Sequence, residues 1–185
     1  MNNTPLITEC PAALAAMASE RYAEAVAALR RGEEMPLVAV AIRYDAAAGT
    51  ATQLAATGFV VGDARADREL MGAKIRLMLQ RTDANAVILV ADAWASGDSW
   101  QGRPLHAPDR TEAILLTIEV KALGVWGALE EYTRLGNLVL VASQARLKPN
   151  PDNKGVLTNF FSPRPLAREN VPPTPEGFEI GRAHV

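Results

Sequence analysis

The stretch TEAILLTIEVKA, residues 111–122, alternates in the way that is typical of a half-buried β-strand. Its even-numbered residues from Ile114 to Val120 are all apolar, and successive side chains of a strand point to opposite sides. The odd-numbered side becomes polar at Thr117 and Glu119. We therefore predict a strand here, with its even-numbered side in the core.

Other segments extend this strand into a sheet. Five of them are predicted strands: 35–45, 51–62, 85–94, 125–135 and 138–148. Gly136-Asn137 separates the last two and is typical of a hairpin turn. The first of the five is almost entirely apolar, which predicts a central strand or one that is buried on both faces.

Two segments are predicted helices. Residues 11–31 are rich in Ala, Leu, Glu and Arg, with Pro11 at the first turn and Gly32 at the end. In residues 63–84, Met71 and the apolar positions that follow it mark one buried stripe. This order predicts an α+β fold: a mixed, mainly antiparallel sheet of five to seven strands with two helices packed on one face.

The C-terminal part has a different character. Residues 1–148 are predicted to form a single α+β domain, and residues 149–185 a Pro-rich extended arm, which holds seven of the twelve prolines. The arm nevertheless contains Phe160, Phe161 and Phe178, and a purely solvated tail would have fewer aromatic groups. We expect it to lie on its own domain or on a neighbouring subunit.

Composition excludes several classes of protein. The net charge of −2 and pI of about 5.7 come without a basic stripe, so we predict no nucleic-acid partner. No apolar run approaches the length of a membrane span, and no signal peptide is visible, so we predict no membrane association. The single cysteine, Cys10, fits a reducing compartment and a cytoplasmic location. It lies at a helix start, where a thiolate would be stabilised, but a lone cysteine there is more often structural.

The sequence offers no metal centre and no cofactor motif. The two histidines, His106 and His184, are far apart, and no zinc spacing is present. An Mg²⁺ site built from Asp92, Asp98 and Asp109 stays open. Neither GxxxxGK[ST] nor GxGxxG occurs, so we predict no nucleotide cofactor.

Polar side chains concentrate in the segment HAPDRTE, residues 106–112, and at the end of the strand before it. The candidate ligand-binding residues are Asp92, His106, Asp109, Arg110 and Glu112. His106 has the chemistry of a general base, and Arg110 that of a clamp for a carboxylate or phosphate. The alternative is an ordered turn in which the charges pair with one another across adjacent strands.

The strand-loop-strand unit of residues 91–119 combines Asp92-Ala93-Trp94 with Pro108-Asp109-Arg110 and Glu112. It resembles an uncharacterised family of small bacterial proteins, in which an acidic-Ala-Trp strand end leads through a polar loop to P-D-R-x-E and a second strand. The resemblance implies no activity. It implies only that these polar residues have a role.

Two functions follow from these observations. The chain is expected to be a non-catalytic binding or assembly protein, a homo-oligomer that self-associates through its sheet or its C-terminal arm, which could also hold a protein partner. The alternative is an enzyme or a small-anion-binding protein that uses the polar loop at residues 92–112.

The arm suggests a first test of the assembly hypothesis. Deletion of residues 150–185 is expected to reduce the mass in solution to that of a monomer, because an extended arm of this composition docks on a neighbouring subunit. Light scattering measures that mass, and an oligomer of unchanged size after truncation would contradict the prediction.

Overall fold

The computed structural model describes residues 9–59, 65–95, 110–136, 138–150 and 159–161. In these ranges the chain forms two helices and seven strands. In chain order they are α1 (Ala12–Arg30), β1 (Leu37–Asp45), β2 (Thr50–Phe59), α2 (Arg65–Thr82), β3 (Ala86–Ala95), β4 (Thr111–Val120), β5 (Gly124–Leu135), β6 (Leu138–Val141) and β7 (Lys148–Pro149).

All described strands belong to one sheet, in the order β2-β1-β3-β4-β5-β6, with β7 on the N-terminal part of β5. Every neighbouring pair is antiparallel. The predicted α+β fold, with its mainly antiparallel sheet of five to seven strands, is therefore confirmed. In the described part of the chain, neither helix is long and apolar enough to cross a membrane.

Helix α1 begins and ends where the sequence predicts. Pro11 precedes it, and Gly32 follows with a φ of +75°, a conformation that glycine adopts without strain. The amide of Gly32 donates to the carbonyl of Leu29, and the amide of Glu33 donates to that of Ala28. These two bonds form a Schellman motif, which satisfies carbonyl groups that the end of a helix leaves without partners.

The two helices cover opposite faces of the sheet, so the prediction that both pack on one face is wrong. One core cluster joins α1 to even-numbered strand residues such as Ile88 and Ile114, and the other joins α2 to odd-numbered residues such as Leu37 and Leu89. We call these sides the α1 face and the α2 face. Strands β1 and β3 are apolar on both alternations, and each apolar face has to be covered.

The last strands are shorter than predicted. Residues 138–148 were expected to form one strand, but β6 ends at Val141, and the chain pairs with β5 again only at Lys148 and Pro149. Between them Ala142 accepts a hydrogen bond of 2.9 Å from the hydroxyl of Tyr22 on α1. This bond ties the chain that leaves β6 to the first helix.

Part of the predicted arm lies on its own domain. Phe160 is 7% exposed and belongs to the core of the α2 face, with the guanidinium of Arg76 over its ring at 5.2 Å. The amide of Phe161 donates to Oε1 of Glu119, a β4 side chain that is only 5% exposed. Deletion of residues 150–185 would therefore remove core as well as arm.

Truncation of Phe160 tests this docking. Phe160→Ala is expected to lower the free energy of unfolding by about 3 kcal/mol, the lower end for a buried phenylalanine, because it leaves a cavity between α2 and the sheet. Urea unfolding followed by circular dichroism measures it. Leu70→Ala, at a leucine of α2 that is 57% exposed, serves as the control and should change it by less than about 0.5 kcal/mol. Equal effects of the two variants would contradict the docking.

Candidate functional site

Three of the predicted site residues lie at the same end of the sheet. Asp92 is near the end of β3, Glu112 is near the start of β4, and Arg110 comes directly before β4. The pairing of β3 with β4 sets Trp94 opposite Glu112 and Asp92 opposite Ile114, so these side chains share the α1 face. His106 and Asp109 fall outside the described residues.

The centre of this polar cluster is Tyr132, which the sequence analysis did not single out. Its hydroxyl donates to Oδ1 of Asp92 at 2.9 Å and lies 3.3 Å from Oε1 of Glu112. The ring is 4% exposed, and it reaches from β5 across β4 to β3. A single phenol hydrogen thus faces two carboxylates, and the shorter distance assigns it to Asp92.

Arg134, the second residue that the sequence analysis missed, closes the network. Its Nε lies 3.3 Å from Oε2 of Glu112, and its Nη2 donates to the hydroxyl of Tyr132 at 3.3 Å. The side chains of Arg134 and Glu112 are 39% and 31% exposed. Solvent screening therefore keeps the contribution of this ion pair to stability small.

The β4–β5 hairpin brings these residues together. Its turn is centred on residue 122, so Glu112 and Tyr132, ten residues to either side, become a direct cross-strand pair. Arg134 follows two residues later on the same face. The register of β4 against β5 would have indicated both Tyr132 and Arg134. It can be predicted from the sequence only after the position of the turn between the two strands is known.

Arg110 takes a different partner. Its guanidinium carbon lies 4.7 Å from the ring centroid of Trp94, which is 39% exposed. This distance is within the range of a cation–π interaction, which contributes about 0.5–1 kcal/mol at an exposed site. The pair extends the row of Glu112 and Tyr132 to the neighbouring strand and holds one positive charge over a partly exposed aromatic surface.

The surroundings of the network raise the pKa values of Asp92 and Tyr132. Partial burial raises the pKa of Asp92 and the nearby charge of Glu112 raises it further, whereas the hydrogen bond from Tyr132 opposes the change. Burial also raises the pKa of Tyr132, so its phenol keeps its proton at neutral pH. Because the pKa of Asp92 is raised on folding, its contribution to stability is present below the pKa of the unfolded chain, about 3.9, and is lost as the pH rises through the folded value.

Cys10 and the candidate metal ligands are the other groups with reactive or metal-binding side chains. Burial raises the pKa of Cys10 to about 11, so its side chain is a neutral thiol at physiological pH. Among the residues that the structure describes, no three His, Cys, Asp or Glu side chains gather closely enough to hold a metal ion. Asp98 and Asp109, which were considered as Mg²⁺ ligands, lie outside those residues.

A second surface stands out on the opposite face. The β5–β6 hairpin carries four leucines that are about half exposed: Leu129 (49%), Leu135 (57%), Leu138 (57%) and Leu140 (50%). Their alternation with the buried residues Tyr132 and Val139 puts all four on the α2 face. We call this set the leucine surface. It lies near the edge of the sheet opposite β2, whereas the core of α2 is formed with β1 and β3 and α2 also contacts β2.

The width of the sheet explains why these leucines are exposed. Six neighbouring strands span about 24 Å between the outer two, at a spacing of about 4.8 Å. A single helix, about 10–12 Å across with its side chains, covers about two to three strands. Because α2 packs near the β2 edge of the sheet, it cannot reach the β5–β6 hairpin at the opposite edge of the same face.

The chain was compared with protein-family models, with curated proteins and with solved structures, and none of the three comparisons found a match.

The hydroxyl of Tyr132 provides a test of the polar network. Tyr132→Phe should raise the pKa of Asp92 further, because it removes the hydrogen bond that stabilises the carboxylate. Titration of the Asp92 side-chain carboxyl by NMR measures it. Tyr44→Phe removes a hydroxyl at the opposite end of the sheet and should leave the pKa of Asp92 unchanged. An equal pKa in wild type and Tyr132→Phe would contradict the hydrogen bond.

Proposed function

We propose that this protein is a non-catalytic assembly protein that associates with a second copy of itself through the leucine surface. The observation that supports this function is the gathering of four half-exposed leucines on one face of one hairpin. Contiguous apolar patches on a protein surface commonly mark sites of protein–protein interaction. In the described part of the chain, no helix packs over this patch.

The apolar area of the leucines supports an interface centred on them. Complete burial of a leucine contributes about 1.5–3 kcal/mol, so the exposed half of each contributes about 1 kcal/mol and the four together about 4 kcal/mol. Association costs at least about 4 kcal/mol in translational and rotational freedom. The leucines alone would only offset this cost. On the same side of β5, Glu131 and Thr133 lie between Leu129 and Leu135, so the contact would combine apolar and polar groups.

A second copy is the occupant that fits best. In a two-fold dimer the same patch meets itself, so the patch has to be complementary to its own copy. An apolar surface satisfies this condition, whereas a patch of one charge sign would repel its copy. The direct pair Leu135–Leu138 and the neighbouring Leu140 carry no charge and can pack against the same residues of a partner.

The other expectations about partners and location stay proposals. The absence of a basic stripe supports the lack of a nucleic-acid partner, and the single cysteine supports a cytoplasmic location. A protein partner for the arm and a bacterial origin rest on the composition of the arm and on the family resemblance alone.

The second candidate function is a site for a small ligand or a reaction at residues 92–112. The observation that favours it is the raised pKa of Asp92 beside Glu112, Tyr132 and Arg134, since perturbed groups cluster at functional sites. Two carboxylates in the network weaken the case for an anion. Each has a hydrogen-bond partner in the cluster, which is the arrangement expected of a structural network.

Charged substitutions in the leucine surface test the assembly proposal. Leu138→Lys combined with Leu140→Lys should reduce the mass in solution, because each removes apolar contact and sets like charges against one another across the two-fold axis. Light scattering over a range of concentrations measures the mass. Leu70→Lys with Leu77→Lys changes two leucines of similar exposure, 57% and 45%, on α2 and should have no effect.

Two further results separate the sheet from the arm. A chain that ends at Pro165 keeps Phe160 and Phe161, so it should fold and associate as the full chain does. Loss of association in this chain, with none in the leucine variant, would assign the interface to the arm and overturn the proposal.

A further inference from the structure

Strand β2 is an edge strand of the sheet that the described residues form. It is ten residues long and, among the described strands, pairs only with β1. None of its residues is buried, although β1 beside it is buried at five of nine positions. An edge strand presents a row of unpaired amide and carbonyl groups, which makes it a template for another strand.

The composition of β2 does nothing to discourage such pairing. Its sequence, TATQLAATGF, has no charged residue and no proline, the two residue types that most often guard a sheet edge. The opposite edge is guarded in this way: β6 has only four residues, and β7 consists of Lys148 and Pro149. Among the described strands, charge, proline and short length therefore occur together at the β6–β7 edge and not at the β2 edge.

One irregularity limits where a new strand can pair. The register between β1 and β2 shifts at Ala41 and Ile42, so that Leu54 is an extra residue in β2. A bulge of this kind increases the local twist and interrupts regular pairing. Regular segments remain on both sides of it, at residues 50–53 and 55–59, and most of their side chains are Ala, Thr or Gly.

From these observations we infer that the β2 edge accepts β2 of a second copy of this chain, in antiparallel pairing about a two-fold axis, and so joins two sheets into one. The absence of charge favours this occupant: a second β2 brings no like charges opposite one another and offers an uncharged strand of the same ten-residue length. This interface is separate from the leucine surface, since β2 and the β5–β6 hairpin lie at opposite edges of the sheet.

The symmetry makes a specific geometric demand. In an antiparallel pair, residues that face one another share one side of the sheet, so the two-fold axis has to pass beside one residue of β2 that faces itself. Its two Cα atoms would lie about 4.5–5.5 Å apart, within the range of a disulfide. The corresponding atoms of the next residue on the same side would be too distant.

A cysteine scan of β2 tests this geometry. Single cysteines at each position from 51 to 58, in a Cys10→Ala background, would be exposed to oxidised glutathione and followed on non-reducing gels. One position should cross-link about tenfold faster than its neighbours, because a disulfide requires close Cα atoms. Cysteines at Ala46, Ala47 and Ala48, in the exposed turn before β2, are the controls. Cross-linking that is equal along β2 and in the turn would overturn the inference.

Mass measurements separate this interface from the leucine surface. If both exist, the wild-type chain should form particles of more than two chains. Thr52→Lys with Ala56→Lys, both at exposed positions of β2, should leave a dimer held by the leucine surface. The leucine variant should leave a dimer held by β2, and the combination of all four substitutions should give a single chain. Ala46→Lys with Ala48→Lys is the matched control.

The outcomes distinguish the two proposals. A mass that the β2 variant leaves unchanged overturns the β2 interface and spares the leucine surface. If the leucine variant leaves the mass unchanged, the leucine surface is overturned as an interface and the β2 interface stands. A wild-type chain with the mass of one chain at all concentrations overturns both.

Discussion

The pairing of β3 with β4 is the constraint on which the rest of the structure depends. Ten consecutive residue pairs join the two strands, from Ala86–Val120 to Ala95–Thr111, and the strands are buried on both faces for much of their length. A strand pair that is apolar on both sides has to be covered on both sides. Helix α1 covers one side, and α2 together with Phe160 covers the other.

Much of the fold could be predicted from the sequence, because local patterns decide it. The alternation at 111–122, the apolar run at 85–94 and the glycine after α1 predicted elements that the structure contains. The face that each helix covers could not be predicted from the order of elements, because a helix that precedes or follows a strand can pack on either side. The apolar character of β1 on both alternations was the signal that opposite faces were needed.

The candidate site could be predicted only in part. The concentration of polar side chains near the ends of two predicted strands indicated Asp92, Arg110 and Glu112 as candidates. These three residues do lie at one end of the sheet. Tyr132 and Arg134 belong to a later strand, and nothing local to them indicates that they will face the same carboxylates. A contact between residues 40 positions apart depends on register, and a single sequence gives register only after each turn has been fixed.

The position of Phe160 along the chain has a consequence for biosynthesis. A nascent chain leaves the ribosome with its N-terminus first. Helix α1 and all seven described strands therefore emerge before Phe160, which completes the second face of the sheet. Until Phe160 leaves the exit tunnel, its place between α2 and the sheet is empty, and Glu119 lacks the amide of Phe161. The nascent chain therefore exposes extra apolar surface for that interval, and the second face of the sheet is completed only after residues 160 and 161 have emerged.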